Sequence, residues 1–353
     1  MLLVLRSLAA LHQVPCLARA SRLISSLALI ALISGFTPPA TAATSTQPAK
    51  APKTAPKKPA KPAPARPSIS KNPYIGAIAI DADTGRVLAE DQADAQGYPA
   101  SMLKLMDLFL LLEKLQRGEI ALPDQVTVSA RAAKTGGSQV WLAEKEVFSI
   151  EDLLFALMIQ SANDAAVALA EKASGSTEAF VVLMNQKARS LGMTRTSFQS
   201  VHGLPPGAGQ QPDRTTARDF AILCRELVLK HPETLRYTST REREFRPTLP
   251  DKKVVMRTHN HLLAQVQGCD GLKTGYFANA GFSIAATASR RGQRVIVVVL
   301  GSMDRKVRDA KASEFIQRAF TALAGPVTPA PAPAPASKTP AKANPAPPPS
   351  RSR

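Results

Sequence analysis

Between residues 72 and 325 the spacing of apolar and polar positions changes character several times. Tyr74-Ile-Gly-Ala-Ile-Ala-Ile80 is a short apolar run, Asp81-Ala-Asp-Thr-Gly85 has turn composition, and Arg86-Val-Leu-Ala-Glu90 follows, so the pattern predicts a β-hairpin. A long apolar helix is predicted from Ser101 to Gln116, stopping at Gly118. Further helices are expected at about 150–159 and 164–173, separated by a short break, and over the apolar stretch Phe220 to Leu229. Gly281 to Ser289 and Arg294 to Ser302, joined through Arg290-Arg291-Gly292-Gln293, read as a second pair of strands, and 306–323 as a closing helix. Strands at both ends of this core with helices between them predict an α+β fold, in which the terminal strands share one antiparallel sheet covered by helices.

Composition changes at the edges of that core. The chain has 353 residues, 29 prolines and a net charge of +18. Residues 1–42, 43–71 and 326–353 carry three, seven and four basic residues and no acidic one, which leaves +4 for residues 72–325. The basic balance therefore belongs to the ends, and a nucleic-acid footprint on the folded surface is disfavoured. Arginines, the apolar run Leu23 to Phe36 and the small residues Ala40-Thr41-Ala42 predict an export signal over 1–42, cleaved after Ala42. The run is shorter than the roughly 20 apolar residues a bilayer span needs, and Cys16, after Val14-Pro15, is in a poor context for lipid attachment. The Pro/Ala/Lys-rich segment 43–71 and the Pro/Ala-rich basic tail 326–353 cannot bury apolar surface and read as extended spacers. Their lysines could contact anionic envelope surfaces, or simply keep the linkers solvated.

Cys224 and Cys269 remain in the core. Cys224 lies on the apolar stretch 220–229, where a buried thiol is expected, and whether the two pair is left open. No Cys, His and carboxylate cluster has metal-ligand spacing. His259 and His261 lack a third ligand, so neither metal nor cofactor is expected.

Three short patterns carry candidate chemistry: Ser101-Met-Leu-Lys104, Ser161-Ala-Asn163 and Lys273-Thr274-Gly275. Each is weak alone. Ser68-Ile-Ser-Lys71, Ser70-Lys71-Asn72 and Lys134-Thr135-Gly136 repeat them in the same chain. Context separates the copies. Ser-x-x-Lys at a helix start puts a hydroxyl and an amine on one face, one turn apart, beside unpaired backbone N–H groups. Ser101 has such a helix, whereas Ser68 sits in proline-rich linker. Ser161 and Asn163 fall in the break between two apolar helices, where they either project into a cleft or cap the following helix. Lys273-Thr274-Gly275 precedes a strand and is expected at a sheet edge to which a peptide could add, with Gly275 leaving room for it. Lys134-Thr135-Gly136 runs into a loop and reads as chance.

The set resembles the active-site signatures of the serine penicillin-binding and class A β-lactamase superfamily. Within it, the chain is most similar to the low-molecular-weight D-alanyl-D-alanine carboxypeptidases, through Ser161-Ala-Asn-Asp-Ala-Ala166, His202-Gly203-Leu204 and Asp270-Gly-Leu-Lys-Thr-Gly275. The resemblance spans about residues 72–323 and implies an inserted helical subdomain and a catalytic domain over 72–325. It implies Ser101 as nucleophile, Lys104 as base and Ser161 as proton relay. Asn163 would hold the substrate backbone or orient Lys104. Lys273, Thr274 and Gly275 would form the substrate edge, and the backbone N–H groups of Ser101 and Tyr276 the oxyanion hole. Arg308 is a further candidate for carboxylate recognition, with a solvated helix face as the alternative. Lys104 must be desolvated or placed beside another cation to act as a base, and Lys273, if it faces the same cleft, would supply that charge. The implied partners are peptidoglycan stem peptides and, as covalent inhibitors, β-lactams, in the periplasm or at the outer face of the inner membrane. The alternatives are a D,D-endopeptidase, kept open because the core ends near Ala324 with no room for the extra β domain of some family members, and a non-catalytic wall-binding scaffold. A β-lactamase is disfavoured, since no separate glutamate pattern for activating water is found.

Overall fold

The computed structural model describes residues 73–325 apart from Pro247. The expected export signal, the linker with its copies Ser68-Lys71 and Ser70-Asn72, and the basic tail lie outside the described residues.

The predicted hairpin is β1 (Gly76–Asp81) and β2 (Val87–Asp91). Three more strands, β3 (Cys269–Phe277), β4 (Gly281–Arg290) and β5 (Gln293–Ser302), complete an antiparallel sheet in the order β2-β1-β5-β4-β3. The ends of the core meet where β1 pairs with β5, Gly76 opposite Leu300 and Asp81 opposite Val295. Both faces of this sheet are covered, which explains why Val295 to Leu300 is apolar without interruption. Alternate residues serve different layers. Val295, Val297 and Val299 pack with Ala312, Phe315 and Ile316 of the closing helix, α5 (Arg305–Ala324), while Ile296, Val298 and Leu300 belong to the cluster shared with the helical half.

The helical half is built around α1 (Lys104–Gln116), buried from Lys104 to Leu112. A helix apolar on all sides must lie inside other elements. Around it lie α2 (Asn163–Ser174), α3 (Thr177–Ser190) and α4 (Ala217–Lys230). The helix expected at 150–159 starts at Ile150, where the Ser149 hydroxyl caps the Asp152 N–H, and ends in a π-helical turn, Ala156–Gln160. Among the described residues, three strand pairs lie beyond the expected elements: Gln96–Gly97 with Thr215–Thr216, Gln125–Thr127 with Val147–Ser149, and Glu242–Phe245 with Val254–Arg257. Elements of two to four residues are too short to show a period. Cys224 is buried on α4, Cys269 opens β3, and both thiols are free.

Candidate active site

Ser101 lies on a 3-10 turn, Ala100–Leu103, that leads directly into α1. The Ser-x-x-Lys spacing does what one helical turn requires: Lys104 Nζ is 3.2 Å from Ser101 Oγ. Lys104 is wholly buried, and its ammonium also meets Asn163 Oδ1 and the His202 carbonyl oxygen, each at 2.7 Å. Burial pulls its pKa down to about 8, against the opposing pull of Asp107, Asp213 and Asp164. Of the two expected causes, desolvation is the one that lowers it. Lys273 is itself driven well below the ordinary range, first by its own burial and then by the charges of Lys104 and Arg308. The bookkeeping of hydrogens follows. A neutral amine has two N–H bonds and one lone pair. The two short contacts to carbonyl oxygens take the hydrogens, leaving the lone pair for the Ser101 hydroxyl on the longer contact.

Ser161 leaves the π-helical turn in the left-handed region, φ +62°, a conformation that costs energy for a residue with a side chain. Its Oγ is buried and has no hydrogen-bond partner among the described residues. Neither Ser161 nor Asn163 caps α2, whose cap position is Ala162 without a side-chain bond, so the capping alternative does not hold. Asn163 uses both ends of its carboxamide: Oδ1 accepts from Lys104, and Nδ2 donates to Gly136 O at 2.8 Å. Its backbone N–H donates to Ser138 O, also at 2.8 Å. Of the two roles implied for Asn163, this wiring matches orienting Lys104. It also bears on Lys134-Thr135-Gly136, whose match to the catalytic triplet reads as chance. That triplet is no second catalytic pattern, yet its glycine and the two residues after it form the wall behind Asn163. A Cβ on Gly137, at φ +83°, would come within 2.6 Å of Asn163 Nδ2.

Lys273 and Thr274 lie on β3, an edge strand as expected, and both are buried. Gly275 is needed for a different close approach from the one expected. A Cβ there would lie 2.5 Å from Pro99 O and 3.0 Å from Met102 N, so the missing side chain lets β3 abut the turn that carries Ser101. Gly203, φ +72°, meets the same turn from the other side, 2.3 Å from Ala100 O by the same measure. Tyr276 is 54 % exposed and stacks on Phe282, with ring centroids 4.1 Å apart. Arg308, on the first turn of α5, is 2 % exposed, and its Nε and Nη2 hold Asp309 Oδ1 at 2.8 and 2.6 Å. The solvated-face alternative for Arg308 is thereby overturned.

These elements enclose a cavity of about 250 Å³. Ser101, Ser161, Thr274, Gly275, Tyr276 and Arg308 line it, while Lys104, Asn163 and Lys273 stand behind its wall. Sequence reasoning missed five further lining residues, Ser138, His259, His261, Phe282 and Arg305. The two histidines had been weighed only as metal ligands. His259 is held neutral, its pKa lowered to about 4 by burial and by the charge of Lys273. The His202 ring is likewise lowered to about 4, by burial and then by Lys104.

The fold and the convergence of the three motifs define the penicillin-binding, β-lactamase/transpeptidase-like class. Residues 63–304 match the family described as D-alanyl-D-alanine carboxypeptidase, and the chain belongs to that family. It is 38% identical over 245 residues to D-alanyl-D-alanine carboxypeptidase DacF of Bacillus subtilis (strain 168), covering 69% of this chain and 61% of the relative. It is 37% identical over 262 residues to D-alanyl-D-alanine carboxypeptidase DacC of Escherichia coli (strain K12), covering 72% of this chain and 62% of the relative. Among solved structures it is similar to penicillin-binding protein D2 from Listeria monocytogenes in the ampicillin-bound form, with a TM-score of 0.63 and 31% identity, covering 70% of this chain and 97% of that one. The chain thus spans just over three fifths of the length of the two curated relatives, 61% and 62%.

Proposed function

We propose that this chain is a serine D-alanyl-D-alanine carboxypeptidase, which removes the terminal D-alanine from peptidoglycan stem peptides through an acyl-enzyme and is acylated by β-lactams. The observation that carries the reading is the buried Lys104, wired to Asn163 and His202 so that its lone pair faces Ser101. Lys104 takes the hydroxyl proton as Ser101 Oγ bonds to the carbonyl carbon between the two D-alanines. The C–N bond then breaks, and the proton reaches the leaving amine through Ser161, whose hydroxyl has donor and acceptor capacity to spare. Water releases the shortened peptide from Ser101. Backbone N–H groups of Ser101 and Tyr276 receive the oxyanion, at roughly 3 to 4 kcal/mol per donor in sites of this kind. Lys273, Thr274 and Arg308 face the terminal carboxylate. The ampicillin-bound relative and the carboxypeptidase names of the curated relatives support this assignment.

The reading includes export by the segment 1–42, a catalytic domain over 72–325, and action in the periplasm or at the outer face of the inner membrane, with the proline-rich arms as spacers that meet anionic surfaces. No specific observation favours the endopeptidase or the scaffold.

Two measurements test the proposal. Fluorescent penicillin is expected to label the protein covalently, and Ser101→Ala to abolish labelling. A folded wild-type protein that is never labelled would defeat the enzyme reading. D-alanine release from a pentapeptide is expected to exceed cleavage of a cross-linked dimer, and the reverse would turn the assignment to an endopeptidase.

A further inference from the structure

Three buried carboxyl groups act on the charge of Lys104 through space, none of them in a direct ion pair with it: Asp107 on α1, Asp164 at the start of α2, and Asp213 in the segment before α4. Two of them are accounted for by backbone donors. Asp164 accepts from the N–H groups of Val140, Leu142 and Ala165, and Asp213 from Gln199 and Ser200 N–H together with the Ser200 hydroxyl. Asp107 is different. It is 2 % exposed, and neither carboxyl oxygen has a hydrogen-bond partner among the described residues. A buried carboxylate without donors is strongly disfavoured, so such a group is retained neutral or against a counter-charge. Lys104, one helical turn away on the same helix, is the positive group that acts on it, without a direct hydrogen bond.

We propose, resting on the assignment of Lys104 as the base, that Asp107 is a positioning residue whose charge is coupled to the protonation of Lys104 across the buried space between them and so sets how much of that amine is free to receive the hydrogen of Ser101. Two arrangements have the same number of protons and no net charge: ammonium with carboxylate, and amine with carboxylic acid. Mutual attraction favours the first, and burial of both groups favours the second. Only the second has a base ready at Ser101. The pair titrates as a unit, with macroscopic steps that belong to both groups. Burial pushes the Asp107 carboxyl well above the ordinary carboxylate range, with Lys104 opposing and Asp213 adding to the rise, which matches a carboxyl able to hold the proton. The other titratable groups around the pair are His202, held neutral, and Lys273 on β3, whose charge opposes that of Lys104. Further along α1, Lys187 of α3 is paired with Glu113, and His231, which follows α4, packs on Phe109.

The test is the rate of acylation by fluorescent penicillin between pH 6 and pH 10 for the wild-type chain, Asp107→Asn and Asp107→Leu, with thermal melting to confirm folding. Removing the carboxylate removes the counter-charge that keeps the proton on Lys104. The midpoint of the rise in rate is then expected to move to lower pH by about one unit in both variants, a gain of about tenfold at pH values below both midpoints. Asparagine keeps the shape and leucine fills a similar volume without a polar atom, so one of the two is expected to fold. Folded variants whose profiles superimpose on the wild type would overturn the role of Asp107 and leave the proposed function standing. Absence of labelling in the wild type would instead remove the assignment on which the role rests.

Discussion

Two buried lysines, Lys104 on α1 and Lys273 on β3, stand behind the wall of the same cavity, and burial lowers the proton affinity of both. Their wiring differs. Lys104 is held by three oxygens from three separate segments, so its position and the direction of its lone pair are over-determined. Lys273 is bonded, among the described residues, to the carbonyl oxygen of Thr274, its own neighbour, at 3.0 Å. The other donors of its ammonium remain for a ligand. Burial alone thus does not assign a role. A lysine whose hydrogens are all engaged by the protein is arranged to lose a proton, and one with idle donors is arranged to bind an anion.

The sharpest way to break this contrast is to truncate each lysine in turn. Lys104→Ala is expected to lower the rate of penicillin acylation by about 10² to 10⁴ while the protein still melts cooperatively. Near-normal acylation would show that another group takes the Ser101 proton. Gly275→Ala comes next, because the added carbon drives β3 away from the turn carrying Ser101 and loosens the junction between the two sides. A misplacement of about 1 Å costs about a hundredfold, and an unchanged acylation rate would mean that the two elements need not touch. The smallest effect is expected for Lys273→Ala, which raises KM for a peptide with a free terminal carboxylate by about tenfold, in line with one charge-assisted hydrogen bond, and alters kcat less. An equal loss with a substrate whose terminal carboxylate is amidated would refute carboxylate recognition by this residue.

Parts of this arrangement were legible along the chain. The hairpin, α1, the β4–β5 pair and α5 are apolar runs or patterns long enough, and bounded clearly enough by turn residues, to be read along the chain, and Ser101-Lys104 is a local constellation that helix geometry alone brings together. β3 was seen only as a motif, because Cys269 to Phe277 mixes glycine, charge and aromatic residues as an edge strand against a catalytic turn must. The wall built by Gly136 to Ser138 reads along the chain only as loop composition, since its contribution is made by backbone carbonyls that any residue possesses. Arg308 was balanced between surface and site. Its burial depends on how α5 packs over the sheet, which no local pattern around residue 308 records.

The order of apolar positions determined which segments became strands and helices, and the one-turn spacing of Ser101 and Lys104 determined that a hydroxyl would meet an amine. Only the tertiary structure decided that this amine would be stripped of water, that Asn163 and the His202 carbonyl would take its hydrogens, and that Asp107 would be buried with no hydrogen-bond partner among the described residues. Those are consequences of contacts between residues 59 and 98 positions apart along the chain. Solvation and charge act through space, so they become defined when the chain has closed on itself.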